Sequence, residues 1–244
     1  MKNIKLILEY DGTNYFGWQK QNDKVTIQGT LEEAISLLTN ECIDVIGSSR
    51  TDGGVHAKGF VANFKTNSKI PPQKFREAIN YRLPDDIIIL KSEETEQDFH
   101  SRYSAIGKTY SYSILNRNVP IAVGRNYVYH LKKELDLEFM EEACKGFIGT
   151  HDFEAFKSSG SSVKTTIRTI SDLHIEKQDE IIKIYITGDG FLYNMVRIIV
   201  GTLIMVGYNK INPLEIKNII DSKDRKRAGM CVPAKGLTLE KVYY

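Results

Sequence analysis

Apolar residues recur along this chain with two periods. The opening segment IKLILEY alternates apolar and polar positions and runs into Asp11-Gly12, the pattern of a strand entering a turn. After a polar loop, TIQGTLEEAISLLTN switches to helical spacing, with Ile27, Leu31, Ala34, Ile35 and Leu38 on one face. Thr26 or Thr30 is available as its N-cap, and Thr30 with Glu33 matches a capping box. CIDVIG and GFVANFKT read as strands, PPQKFREAINYRL as a helix entered through prolines with Phe75, Ala78 and Ile79 on one face, and DIIIL as a strand. From about residue 105 the order partly repeats. KTYSYSIL alternates, LEFMEEACKGFIG is an amphipathic helix capped by Asp136, and IRTISDLHIEK with EIIKIYITG makes a hairpin. FLYNMVRIIVGTLIMVG then reads as a buried helix ending near Gly207, a further helix begins at Pro213, and GLTLEKVYY closes the chain as a strand.

Strands and helices are therefore mixed, and the hairpins are too close for parallel crossovers. This favours an α+β fold with largely antiparallel sheet in two related halves, residues 1–104 and 105–244. No low-complexity tract or short-period repeat interrupts the pattern.

Composition narrows the function classes. The chain has 244 residues, 41% of them hydrophobic, enough to bury one large core or two small ones. Thirty-three Lys and Arg against 31 Asp and Glu give a formal net charge of +2, so a nucleic-acid surface here must be a local patch. The three cysteines, Cys42, Cys144 and Cys231, are odd in number and lack metal-site or redox spacing, which fits reduced thiols in a cytoplasm. The N-terminus carries no export-signal pattern, and the most apolar segment is short for a bilayer span and carries Arg197 in its middle. The five histidines never fall at close ligand spacing, and the His151-Asp152 pair has no obvious further ligands, so no metal is expected. Phosphate-binding loops, the dinucleotide fingerprint and the nucleophile elbow are absent from the sequence.

Two stretches carry candidate chemistry. GSSRTDGGVHAKGF, residues 47–60, sets Arg50 two positions before Asp52 and follows them with Gly53-Gly54. Asp-Gly between strand-like runs is a hairpin signal by itself. In an extended segment, however, the spacing also puts Arg50 and Asp52 on one face, where the cation favours an ionised carboxylate able to act as nucleophile or base. In KTYSYSIL, Tyr110 and Tyr112 share a strand face and read either as core packing or as a stacking surface for a base. Arg102, Lys108, Arg117 and Arg125 flank that strand, while SKDRKR before Ala228 reads as a solvated face.

Taken together, YDGTNYFGWQKQ, TIQGTLEEA, RTDGGVHAKGFVANF, KTYSYSI, GTHDFEAF, FLYNMVRIIVGTL and VPAKGLTLEKVYY resemble the tRNA pseudouridine synthase A (TruA) family over nearly the whole chain. The resemblance implies two α+β halves around a basic cleft, a homodimer, and isomerisation of uridine to pseudouridine at positions 38 to 40 of the tRNA anticodon arm, with no cofactor. It also implies that Asp52 is catalytic, that Arg50 lies near the target base, that Tyr110 stacks on the target uracil, and that Arg197 lies close to Asp52. A buried arginine needs such a partner. The family commonly reads Gly-Arg-Thr-Asp followed by alanine or another small residue, whereas Ser49 and Gly53 stand here. These departures bear on the local backbone path and leave open another RNA such as rRNA, or a catalytically silent RNA-binding protein of the same fold.

Overall fold

The first strand, β1 (Lys2–Tyr10), buries Ile4, Leu6, Leu8 and Tyr10 at alternate positions, the period-2 pattern of its sequence expressed as one inward face. In this computed structural model, which describes residues 1–160 and 163–244, the chain divides into two compact units. The first comprises Met1–Ile106 together with Thr238–Tyr244, and the second Gly107–Leu237. The final strand is therefore grouped with the first unit, although it lies at the far end of the sequence.

In the first unit, β1 pairs antiparallel with β3 (His56–Thr66) and with β4 (Ile87–Thr95). The short β2 (Val45–Gly47) is antiparallel to β3, while β10 (Leu237–Tyr243) pairs with β3 in parallel through Thr238 and Leu239. Helix α1 (Ile27–Thr39) faces the core with Ile27, Leu31, Ala34 and Ile35, and α2 (Phe75–Asn80) with Phe75 and Ile79. The Phe75 ring meets Phe64 of β3 edge-on, with centroids 5.4 Å apart. Each such fully buried side chain contributes about 1.5–3 kcal/mol relative to exposure. Thr26 is the N-cap of α1, accepting from the Gly29 N–H at 3.3 Å. Thr30 sits inside the helix, its hydroxyl donating to the Thr26 carbonyl at 3.0 Å, so the capping-box alternative is not used.

The second unit is built on an antiparallel sheet in the order β5 (Gly107–Asn116), β9 (Ile181–Gly188), β8 (Ile167–Gln178) and β7 (Gly149–Asp152). A three-residue strand, β6 (Tyr129–Leu131), adds in parallel to β5. Asp136 caps α3 (Leu137–Lys145), accepting from the Phe139 N–H at 3.2 Å, and the helix buries Met140, Ala143 and Cys144. Helix α4 (Met195–Gly207) is buried nearly all round, which is why its sequence shows almost no polar face, and α5 (Ile216–Ser222) follows a turn begun at Pro213. No helix among the described residues is long and apolar enough to cross a membrane. The architecture is α+β with a mostly antiparallel sheet in each unit.

Candidate active site

Residues 48–55 join β2 to β3, two antiparallel strands, but they are too many for the tight hairpin that Asp-Gly alone signals. The ladder ends where the Ser48 N–H donates to the Val61 carbonyl at 2.8 Å, and the chain then leaves β3. Thr51 turns inward, with its hydroxyl 2.8 Å from the phenol oxygen of Tyr10 and 8% of its surface exposed. Alternation along the chain then sends Arg50 and Asp52 to the other side, where Arg50 is exposed and Asp52 half-buried. A turn follows: the Val55 N–H donates to the Asp52 carbonyl at 3.2 Å, with Gly54 at φ 78° in its third position. Gly53 adopts no left-handed backbone, and a Cβ there would lie 3.3 Å from the Tyr15 carbonyl oxygen. An alanine at this position needs only a small local adjustment, so Gly53 leaves the backbone path of the loop intact.

The loop is held by residues 11–18, which the sequence pattern presents only as a polar connection. Trp18 donates its N–H to the Thr51 carbonyl at 3.0 Å, and the Gly54 N–H donates to the Tyr15 carbonyl at 3.3 Å. Gly12 donates to Nδ1 of the buried His56 at 3.1 Å. Its missing side chain is what allows the approach, because a Cβ would collide with the Val55 carbonyl. Gly17, at φ 91°, also runs close to Thr51, where a Cβ would lie 2.5 Å from the carbonyl oxygen. The buttress is anchored in turn. The Tyr15 phenol donates to Asp86 Oδ1 at 2.5 Å, burial and then the neighbouring carboxylate push its ionisation well above the usual range, and Trp18 stacks on Phe60 at 4.0 Å. The two glycines and the Tyr10, Trp18 and Phe60 aromatics were the available signal for this clamp.

Tyr110 and Arg197 belong to the second unit. Tyr110 lies opposite Ile186 on β9, is 7% exposed, and meets the ring of Phe191 edge-on at 5.3 Å. Phe191 stands four residues before α4, whose third residue is Arg197. The Arg197 Nε donates to the Val232 carbonyl and Nη1 to Asn194 Oδ1, both at 2.7 Å. Asn194, at φ 61°, donates its amide to Ser158 Oγ at 3.0 Å and does not cap the helix. A guanidinium in the first turn adds to the positive end of the helix, an arrangement that favours an anion. Tyr112, two residues beyond Tyr110, is fully buried and donates its hydroxyl to the Pro233 carbonyl at 2.8 Å. Burial pushes its ionisation far up, and it packs the core. VPAKG thus supplies carbonyls to both Arg197 and Tyr112, a role no periodicity announces.

Several basic residues noted in the sequence serve the fold. Arg117 pairs with Glu180 at 2.7 Å and donates to the carbonyls of Val119 and Pro120. In SKDRKR, Arg225 donates to the Gly229 carbonyl at 2.9 Å and Lys223 meets Asp152 at 2.7 Å. That lysine, with the Thr166 hydroxyl, holds the Asp152 carboxyl below the usual range, and His151 Nε2 bonds the Ile148 carbonyl at 3.0 Å. The His151-Asp152 pair is therefore engaged with protein groups.

A family model described as tRNA pseudouridine synthase matches residues 6–104 and 143–244. The chain is 62% identical over 244 residues to tRNA pseudouridine synthase A 2 of Clostridium perfringens, and 60% and 58% identical to tRNA pseudouridine synthase A of Clostridium botulinum (strain Eklund 17B) and of Acetivibrio thermocellus. Each alignment covers all of this chain and all of the relative. The chain belongs to the tRNA pseudouridine synthase family, a family of isomerases.

Proposed function

We propose that this protein isomerises uridine to pseudouridine at positions 38 to 40 of the tRNA anticodon arm, acting as a cytoplasmic homodimer without metal or cofactor. The observation that carries the reading is the Asp52 carboxylate, presented beside Arg50 on a loop pinned at Thr51 and Gly54, in a chain that matches the family along its length. The reaction breaks the N1–C1′ bond, turns the uracil and joins C5 to C1′, with no net redox change. It requires a base taken out of its stack and held while detached. Asp52 supplies the ionised carboxylate, whether it attacks C1′, attacks C6 or removes a proton. Tyr110 supplies the stacking face, and Arg50 stands by the target base. The Arg197 guanidinium, oriented by Val232 and Asn194 in the first turn of α4, is a further cation for binding the substrate. Dimerisation is supported by the net charge of +2, which gives a single chain little basic surface for a whole tRNA.

Tritium release from 5-labelled uridine in a tRNA transcript tests the reaction, since isomerisation frees that hydrogen and binding does not. Pseudouridine mapping in cells with and without the gene tests the target. Loss of an rRNA site with unchanged anticodon arms would overturn the tRNA assignment. Light scattering that gave only the monomer mass for active protein would overturn the dimer.

A further inference from the structure

Ser101, at the centre of the turn that follows β4, is fully buried and bonded through every polar group it has. Its N–H donates to Asn63 Oδ1 at 2.9 Å, its hydroxyl to the Ile46 carbonyl at 2.7 Å, and its carbonyl accepts the Tyr244 phenol at 2.6 Å. Asn63, itself 1% exposed, is fixed by its amide to Asn3 Oδ1 at 3.0 Å. The turn also closes on itself. Ser104 donates to the His100 carbonyl at 2.9 Å, and His100 Nδ1 accepts the N–H groups of Arg102 and Tyr103 at 3.2 and 3.3 Å. A turn anchored so firmly through Ser101 leaves its neighbours outside. The Tyr103 ring is 77% exposed, the His100 imidazole lies 4.2 Å from it between centroids, and the Arg102 guanidinium lies 5.8 Å from the same ring.

These three side chains line an open cavity of about 220 Å³ together with Trp18, Asp44 and Arg50. It is smaller than the roughly 300 Å³ at which small-molecule sites begin. It presents flat rings with two guanidinium groups against one carboxylate, and the rings are held by a rigid backbone. Single-stranded nucleic acid is bound by this combination, aromatic faces taking bases and cations the backbone, at low ordering cost when the platform is preformed. Arg50 ties the cavity to the loop that bears Asp52.

The geometry points to a second nucleotide subsite, in which Tyr103, with His100 and Arg102, stacks the base of an unpaired RNA nucleotide neighbouring the target uridine while Arg102 and Arg50 face its phosphate. This assignment rests on the proposed RNA isomerisation. Tritium release by the unaltered protein tests that reaction on its own. Against it, Tyr103→Ala is expected to weaken binding of an anticodon-arm RNA about tenfold, the scale of one base–aromatic stack. Tyr103→Trp should restore binding, and Tyr81→Ala, which removes a more exposed ring away from the cavity, should change nothing. A series of RNAs, each with one abasic nucleotide beside the target, should contain one that weakens the unaltered protein and leaves Tyr103→Ala no worse than before. Binding by Tyr103→Ala indistinguishable from the unaltered protein, or a loss equal across the whole abasic series, would overturn the subsite. Should tritium release fail, a single-stranded oligouridylate takes the place of the tRNA arm, and the same Tyr103→Ala and Tyr103→Trp comparison decides the subsite independently.

Discussion

In the first unit the segment bearing Arg50 and Asp52 is fixed through its backbone, by N–H donors from Trp18 and Gly54 and by glycines at 12 and 17 that let two chains touch. In the second unit Arg197 and Tyr112 are fixed through their own side chains, which reach the carbonyls of Val232 and Pro233. The difference has a physical consequence. A backbone clamp does not depend on which side chains stand at 50 and 52, but it tolerates no added atom at the contact. A side-chain anchor tolerates conservative change and costs one hydrogen bond when it is lost. Tyr110, on the same strand as Tyr112, meets the ring of Phe191 edge-on.

The sharpest test of the first arrangement is Asp52→Asn, which keeps the shape and removes the charge. Pseudouridine formation should be abolished with tRNA affinity preserved within a few fold, and appreciable tritium release by this variant would refute the assignment. Next comes the clamp itself. Gly12→Ala drives a methyl into the Val55 carbonyl and is expected to cost about 1–3 kcal/mol or more of stability, the range for overpacked sites, with activity falling in parallel. Denaturant unfolding measures it, and an unchanged midpoint would mean that the 11–18 segment does not hold the loop. For Tyr110, replacement by Leu removes the π-face and should slow single-turnover isomerisation about tenfold or more, while Phe keeps a substantial part of the rate. Rates for Tyr110→Leu equal to the unaltered enzyme would reduce this tyrosine to core packing. The smallest effect belongs to Tyr112→Phe, which deletes the bond to Pro233 and should cost about 1 kcal/mol in unfolding with little change in kcat. A loss of activity as large as that of Tyr110→Leu would shift the stacking role along the strand.

The elements with long, regular patterns were legible before any coordinates. Strand β1, helix α1, α3 with Asp136 as cap, the β8–β9 hairpin and the apolar α4 all follow from period, caps and turn residues, while the choice of Thr26 over Thr30 as the cap of α1 did not. Strands β6 and β7, of three and four residues, have too few alternations to show a period. The parallel pairing of β10 with β3 was also hidden, since it joins residues almost two hundred positions apart and leaves no local mark. For the candidate site, the spacing of Arg50 and Asp52 already placed both on one face, but not on a long loop; the Asp-Gly signal for a tight hairpin gave way to tertiary contacts with residues 11–18.

Tyr110 and Tyr112 show where the boundary falls. The sequence by itself determined that both stand on one strand, that Asp52 stands two positions after Arg50, that α4 is a buried helix interrupted by a cation, and that the whole pattern is that of the pseudouridine synthase family. These properties follow from local periodicity, residue chemistry and motif order. Tertiary structure alone decided that Tyr112 spends its hydroxyl on Pro233 while Tyr110 faces Phe191, and that Gly12 and Gly17 exist to admit residues 51–55. It alone also decided that Ser101 is drawn inward, leaving Tyr103 on a rigid and exposed turn. Partners distant in the chain meet only when the core closes, and whether a polar or aromatic side chain is free to act depends on which of those partners has claimed it.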